Sequence, residues 1–91
     1  MLEYITSTQF RRDHRKILAN PRHRSFESAF FEVLSLLLIE KPLPFRFKEH
    51  KLLGEYKGCH ECHLAPDLLM IYRFKDDCIE LVRLGNHSDL F

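Results

Sequence analysis

The sequence predicts an α+β domain in which a helix hairpin packs on one face of a twisted, mainly antiparallel sheet. Three observations carry this. Apolar residues recur at helical spacing through residues 8–40. After Pro44 the pattern changes to short alternating or apolar runs separated by polar turns, as in strands. And 91 residues, 45% hydrophobic and 30% charged, make one globular core and no second one, so 1–91 is a single domain.

The elements follow in order. "LEYITS" (Leu2–Ser7) favours a strand through Tyr4 and Ile5, and Ser7 stands where a helix N-cap belongs. From Thr8, apolar Phe10, Ile17 and Leu18 share a helical stripe, with Arg11, Arg12, Arg15 and Lys16 around it. "NPRH" (Asn20–His23) ends this helix, because proline cannot continue it. Ser25 or a neighbour starts a second helix, whose wide stripe is Phe26, Phe30, Val33, Leu34, Leu37 and Leu38. It stops near Lys41. So short a link makes the two helices an antiparallel hairpin. "FRFKEH" (45–50) alternates as a half-buried strand does, and "LLGEYKG" is a turn region. Three further strands follow: "CHECHLA" (59–65), "LLMIYRF" (68–74) and "CIELVRL" (78–84), with a glycine-led tail, "GNHSDLF". The predicted order is β-α-α-β-β-β-β.

Strand parity assigns faces. Leu68, Met70, Tyr72 and Phe74 share one side, and Leu69, Ile71 and Arg73 the other. In 78–84, Ile79, Leu81 and Arg83 lie opposite Cys78, Glu80, Val82 and Leu84.

Composition excludes some classes. The first residues carry Glu3 and no basic n-region, which is unlike a signal peptide. The longest apolar run, Val33 to Ile39 broken by Ser35, is far short of a membrane span. A cytoplasmic protein with three reduced cysteines and no membrane partner is expected. Net charge is only +1, but it is segregated. Basic residues concentrate in 1–24 and 41–60, whereas 25–40 carries only acids: Glu27, Glu32 and Glu40. Such segments are either solvated faces or a footprint for a polyanion, and histidines near a polyanion would add to the second.

"CHECH" (Cys59–His63) matches the C-x-x-C-H spacing of haem attachment and half of a zinc site. In a strand, however, Cys59, Glu61 and His63 point one way and His60 and Cys62 the other. No second C-x-x-C pair completes a four-ligand site, and Cys62 reads as a small buried hydrophobe. No metal and no cofactor are expected. A different set stands out: His50, His63, Asp67 and His87 each fall at a strand end or in a flanking loop. In a small antiparallel meander those positions can meet at one edge of the sheet, as a set for acid–base chemistry near neutral pH. The alternative is four unconnected surface residues.

The stretch "HKLLGEYKGCHECHLAPDLLMIYRF", followed by "RLGNHSDLF", resembles the YafQ toxins of the RelE/ParE superfamily of bacterial toxin–antitoxin modules. The motifs H-x-L-x-G-x-(aromatic)-x-G, E-x-H-(apolar)-x-P-D and R-x-G-x-H-x-x-L-F stand in order over residues 50–91, and the preceding strand–helix–helix fits the RelE-like fold. The resemblance implies a type II toxin that enters the ribosomal A site and cuts the messenger RNA codon there, adenine-rich codons above all, without a metal. Its catalytic positions fall on His50, His63, Asp67, His87 and Phe91, with Arg83 near the scissile phosphate. The expected partners are ribosomal RNA with the message and a DinJ/RelB-like, DNA-binding antitoxin. One departure is His60, where relatives often carry arginine. A histidine is only partly charged at neutral pH and would hold phosphate less tightly.

RNA cleavage by its own 2′-hydroxyl needs a base on that hydroxyl, an acid for the 5′-oxygen and positive charge at phosphorus. On this reading Asp67 or His50 is the base and His87 the acid. His63 and Arg83 hold the phosphate, with Lys48, Lys51 and His60 as further phosphate contacts. Phe91 stacks on a base or supports His87. The rival expectation is a ParE-like or degenerate toxin that acts by protein binding alone.

Overall fold

A computed structural model describes residues 1–23 and 25–91, the side chain of His23 excepted. Strand β1 (Glu3–Thr6) leads into helix α1 (Thr8–Ala19), and α2 (Phe26–Leu38) follows. Then come β2 (His50–Lys51), β3 (His60–Ala65), β4 (Leu68–Lys75), β5 (Cys78–Gly85) and a short terminal helix, α3 (His87–Leu90). The five strands lie in the order β1-β5-β4-β3-β2. All neighbours are antiparallel except β1, which runs parallel to β5.

Local chemistry explains the ends of α1. Ser7 caps it by accepting the Phe10 N–H at 2.9 Å, and the Asn20 N–H closes the other end on the Ile17 carbonyl. Phe10 and Ile17 of α1 and Phe26, Phe30, Val33, Leu34 and Leu37 of α2 meet the sheet face formed by Cys62, Leu64, Leu68, Met70, Tyr72, Ile79, Leu81 and Leu84. The two helices touch through rings, with Phe10–Phe30 centroids 6.3 Å apart and His14 edge-on to Phe26 at 5.7 Å. No described helix is long and apolar enough to cross a membrane.

A smaller apolar cluster occupies the opposite face: Cys59, Leu69, Ile71 and Leu90, with Leu52, Tyr56 and Val82 against them. The loop after β2 and the terminal helix therefore cover part of the sheet's second face. Asn86 and Asp89 cap α3 reciprocally, and Leu90 anchors it at 6% exposure. Gly85 lets it fold so close: a Cβ there would lie 3.3 Å from that of Asp89.

Three local expectations need correction. The predicted strand over 45–50 is instead a 3₁₀ turn at Phe45–Phe47, and only His50 and Lys51 pair with β3. Its alternation marks a turn with Phe47 buried and Phe45 in solvent, and Lys48 reverses the chain in the left-handed region at φ 49°. The tail is not loop throughout, because its last turn is helical. And β5 changes parity. Ile71 pairs with Arg83 while Tyr72 pairs with Leu81, so Val82 is an extra residue in a bulge. Leu84 thereby joins Ile79 and Leu81 in the main core.

Candidate active site

The site is built at one end of the sheet, on the face away from α1 and α2. Cross-strand register sets His50 of β2 opposite Glu61 of β3, and His63 follows two residues later on the same face. The turn from β3 to β4 contributes Pro66 and Asp67, and α3 contributes His87. All four predicted acid–base residues, His50, His63, Asp67 and His87, line one cleft of about 580 Å³.

Glu61 forms its floor. This carboxylate is 5% exposed. One oxygen lies 3.3 Å from His50 Nε2 and 3.7 Å from His63 Nε2. Sequence reasoning placed Glu61 on the face of His63 but gave it no role; the signal available was the i, i+2 spacing in E-x-H. His50 is held from its other side, with Nδ1 3.1 Å from the Lys48 carbonyl. A carbonyl only accepts, so Nδ1 carries a proton, and the ring's other nitrogen, Nε2, faces the Glu61 carboxylate in the cleft. Asp67 pairs with Arg22 at 2.9 Å, both partly or largely exposed. The His87 ring packs on Phe91 with centroids 4.9 Å apart, and Phe91 meets Tyr56 edge-on at 5.6 Å.

Two of the predicted phosphate contacts lie elsewhere. His60 is on the helix-bearing face, stacked on Tyr72 at 5.4 Å and bonded to Glu49 at 2.6 Å. Lys51, opposite His60 in register, shares that face and not the face of His50. Lys48 does border the site, lining an adjoining groove that shares His63 and Pro66 with the cleft.

Arg83 is largely committed within the fold. Nε and Nη2 donate to Asp13 at 2.8 and 3.3 Å, and Nη1 to the Tyr56 hydroxyl at 3.4 Å. Asp13 is 4% exposed and also accepts the Leu84 N–H at 2.9 Å and the Gln9 amide at 3.2 Å. Burial pushes its carboxyl upward, but the bonds from Arg83, Leu84 and Gln9 outweigh that and hold it below its ordinary 3.8. Neither Asp13 nor Tyr56 was legible as a partner of Arg83, since the three are remote in sequence.

Cys59 and Cys62 are buried on opposite faces, so they cannot clasp one ion. Burial, then Glu49 and Glu61, pushes the Cys62 thiol up to about 12.

Residues 2–91 match the family described as "Bacterial toxin of type II toxin-antitoxin system, YafQ". The chain belongs to the YafQ toxin family. Among YafQ relatives, the mRNA interferase toxin YafQ of Escherichia coli K12 is 33% identical over 90 residues, covering 99% of this chain and 94% of that protein. E. coli YafQ in its crystalline complex with DinJ superimposes with a TM-score of 0.83 at 32% identity, over 100% of this chain and 99% of that one. A copper-bound mutant toxin from Helicobacter pylori matches at 0.90 and 38%, over the whole of both chains.

Proposed function

We propose that this YafQ-family toxin is a ribosome-dependent endoribonuclease that cuts A-site codons, adenine-rich ones preferentially, by metal-independent acid–base catalysis. The observation that carries the reading is the meeting of His50, His63, Asp67 and His87 around one cleft, with Glu61 beneath them. The naming of the E. coli relative as an mRNA interferase supports the substrate class. A toxin acting by binding alone has no use for this set.

His50 serves better than Asp67 as the base, because Asp67 is engaged by Arg22, whereas a buried carboxylate, Glu61, stands 3.3 Å from His50 Nε2 to balance the charge that proton uptake creates. His50 takes the proton of the 2′-hydroxyl, and the Glu61 carboxylate stabilises the imidazolium so formed. The 2′-oxygen attacks phosphorus, and the bond to the 5′-oxygen breaks. His87 protonates that leaving oxygen, so a 2′,3′-cyclic phosphate and a 5′-hydroxyl result. His63, in the cleft, and Lys48, in the groove beside it, would supply positive charge to the phosphorane. Phe91 fixes the plane of the His87 ring. Among the described residues, no group of three His, Cys, Asp or Glu side chains is disposed to hold an ion.

The reading places the protein in the bacterial cytoplasm, neutralised by a DinJ-like, DNA-binding antitoxin, as the E. coli complex suggests. The test is primer extension on a message with in-frame AAA codons, translated in a purified system. Cuts at ribosome-occupied codons should fall by about 10²–10⁴-fold with His87→Ala. Undiminished cutting would remove His87 as the acid. No cutting by the wild type on translating ribosomes would overturn the function.

A further inference from the structure

One buried carboxylate lies outside the cleft and has no part in the chemistry above. Strand β1 covers β5 only as far as Leu81, and beyond it the outer edge of β5 needs other partners. The Ser7 hydroxyl donates to the Val82 carbonyl at 2.8 Å, and Asp13 accepts the Leu84 N–H. Edge coverage alone would be met by a neutral side chain. Asp13 instead engages two nitrogens of Arg83 as well, which fixes the guanidinium plane. The third nitrogen is thereby aimed at the Tyr56 hydroxyl. Tyr56 belongs to the loop that follows β2, and its ring abuts Phe91, which packs on His87. A continuous set of contacts runs from α1 to the candidate acid.

We propose that Asp13 is a positioning residue for cleavage, acting through Arg83, Tyr56 and Phe91 to hold the His87 ring over the cleft. This rests on the endoribonuclease reading and assigns Arg83 a supporting role within it. The bulge at Val82 is what makes the arrangement possible. It displaces Arg83 from the parity of Ile79 and Leu81 and pairs it with Ile71, on the face where Tyr56 packs. Tyr56 is the weakest link, since a single bond of 3.4 Å joins it to Arg83. Loss of that hydroxyl frees the ring to shift, and Phe91 with it, without opening the core.

The test compares Asp13→Asn, Tyr56→Phe and the double variant in single-turnover cleavage on saturating ribosomes, with the His87 ring proton shifts read by NMR. Each single change should slow cleavage about tenfold with ribosome affinity unchanged. The double should be no slower than the worse single, because both interrupt one path. The His87 resonances, which lie in the ring current of Phe91, should move in all three. Multiplicative losses, or unmoved His87 resonances, would overturn the proposal. Should Asp13→Asn fail to fold, Tyr56→Phe still decides: wild-type cleavage and an unmoved His87 sink it. Should the wild type not cleave RNA at all, the function fails, while the NMR shifts still judge the path.

Discussion

Replacing Glu61 with Gln keeps the side chain's shape and removes its charge. Two unit charges 3.3 Å apart, the His50–Glu61 separation, attract by about 5 kcal/mol at an effective dielectric of ~20. The His50 side chain is 52% exposed, and solvent screens more than half of that. About 2 kcal/mol then remains to stabilise the imidazolium formed as His50 takes its proton. That corresponds to a roughly thirtyfold loss of rate in Glu61→Gln. Stability should move the other way. An almost fully buried carboxylate without a strong donor costs desolvation energy, and an amide relieves it. The melting temperature should therefore hold or rise as activity falls. The assay is single-turnover cleavage of ribosome-bound message, with thermal unfolding of the same preparation. A wild-type rate would show that Glu61 does not serve His50. A rate loss accompanied by a lowered melting temperature would show that its role is structural instead.

Other outcomes follow from the same geometry. Asp13 contributes stability in full above about pH 4, and this is lost as pH falls through its depressed folded value. Asp13→Asn should accordingly cost about 1–3 kcal/mol in urea unfolding at pH 7, with a smaller gap at pH 3. An equal gap at both would refute the ion-pair account. Burial raises the Cys59 thiol and pushes that of Cys62 to about 12. At neutral pH a thiol reagent should thus label only the partly exposed Cys78 in the native protein, and all three cysteines in denaturant. Rapid native labelling of Cys62 would contradict its place in the core. Ribosome binding should weaken steeply with salt, and Lys48→Ala should lower the logarithmic slope by about one. An unchanged slope would remove Lys48 from the phosphate path.

Much of the site could be read before the fold was known, because its logic is local. Strand alternation separated Cys62 from Glu61 and His63, and it dissolved the apparent C-x-x-C-H metal motif. The same alternation sets His60 on the other face, beside Tyr72 and away from the cleft. The positions of His50, Asp67 and His87 at strand ends were likewise visible from turn residues such as Pro66, Gly58 and Gly85.

By itself, then, the sequence determined the two helices, the three long strands, the apolar faces of α2 and β4 and the four titratable residues of the cleft. These depend on periods of 2 and 3.6 residues, which neighbours in the chain settle between themselves. Only the tertiary structure decided the rest. Whether β2 spans six residues or two depends on what β3 offers it, and 45–47 found a turn more favourable. The bulge at Val82 serves the pairing of β4 with β5 and leaves no mark in the apolar pattern. Glu61 is buried between two imidazoles, and Arg83 is claimed by Asp13, 70 residues away. Such contacts arise because buried donors and charges must find partners wherever the fold brings them, and sequence spacing holds no record of that distance.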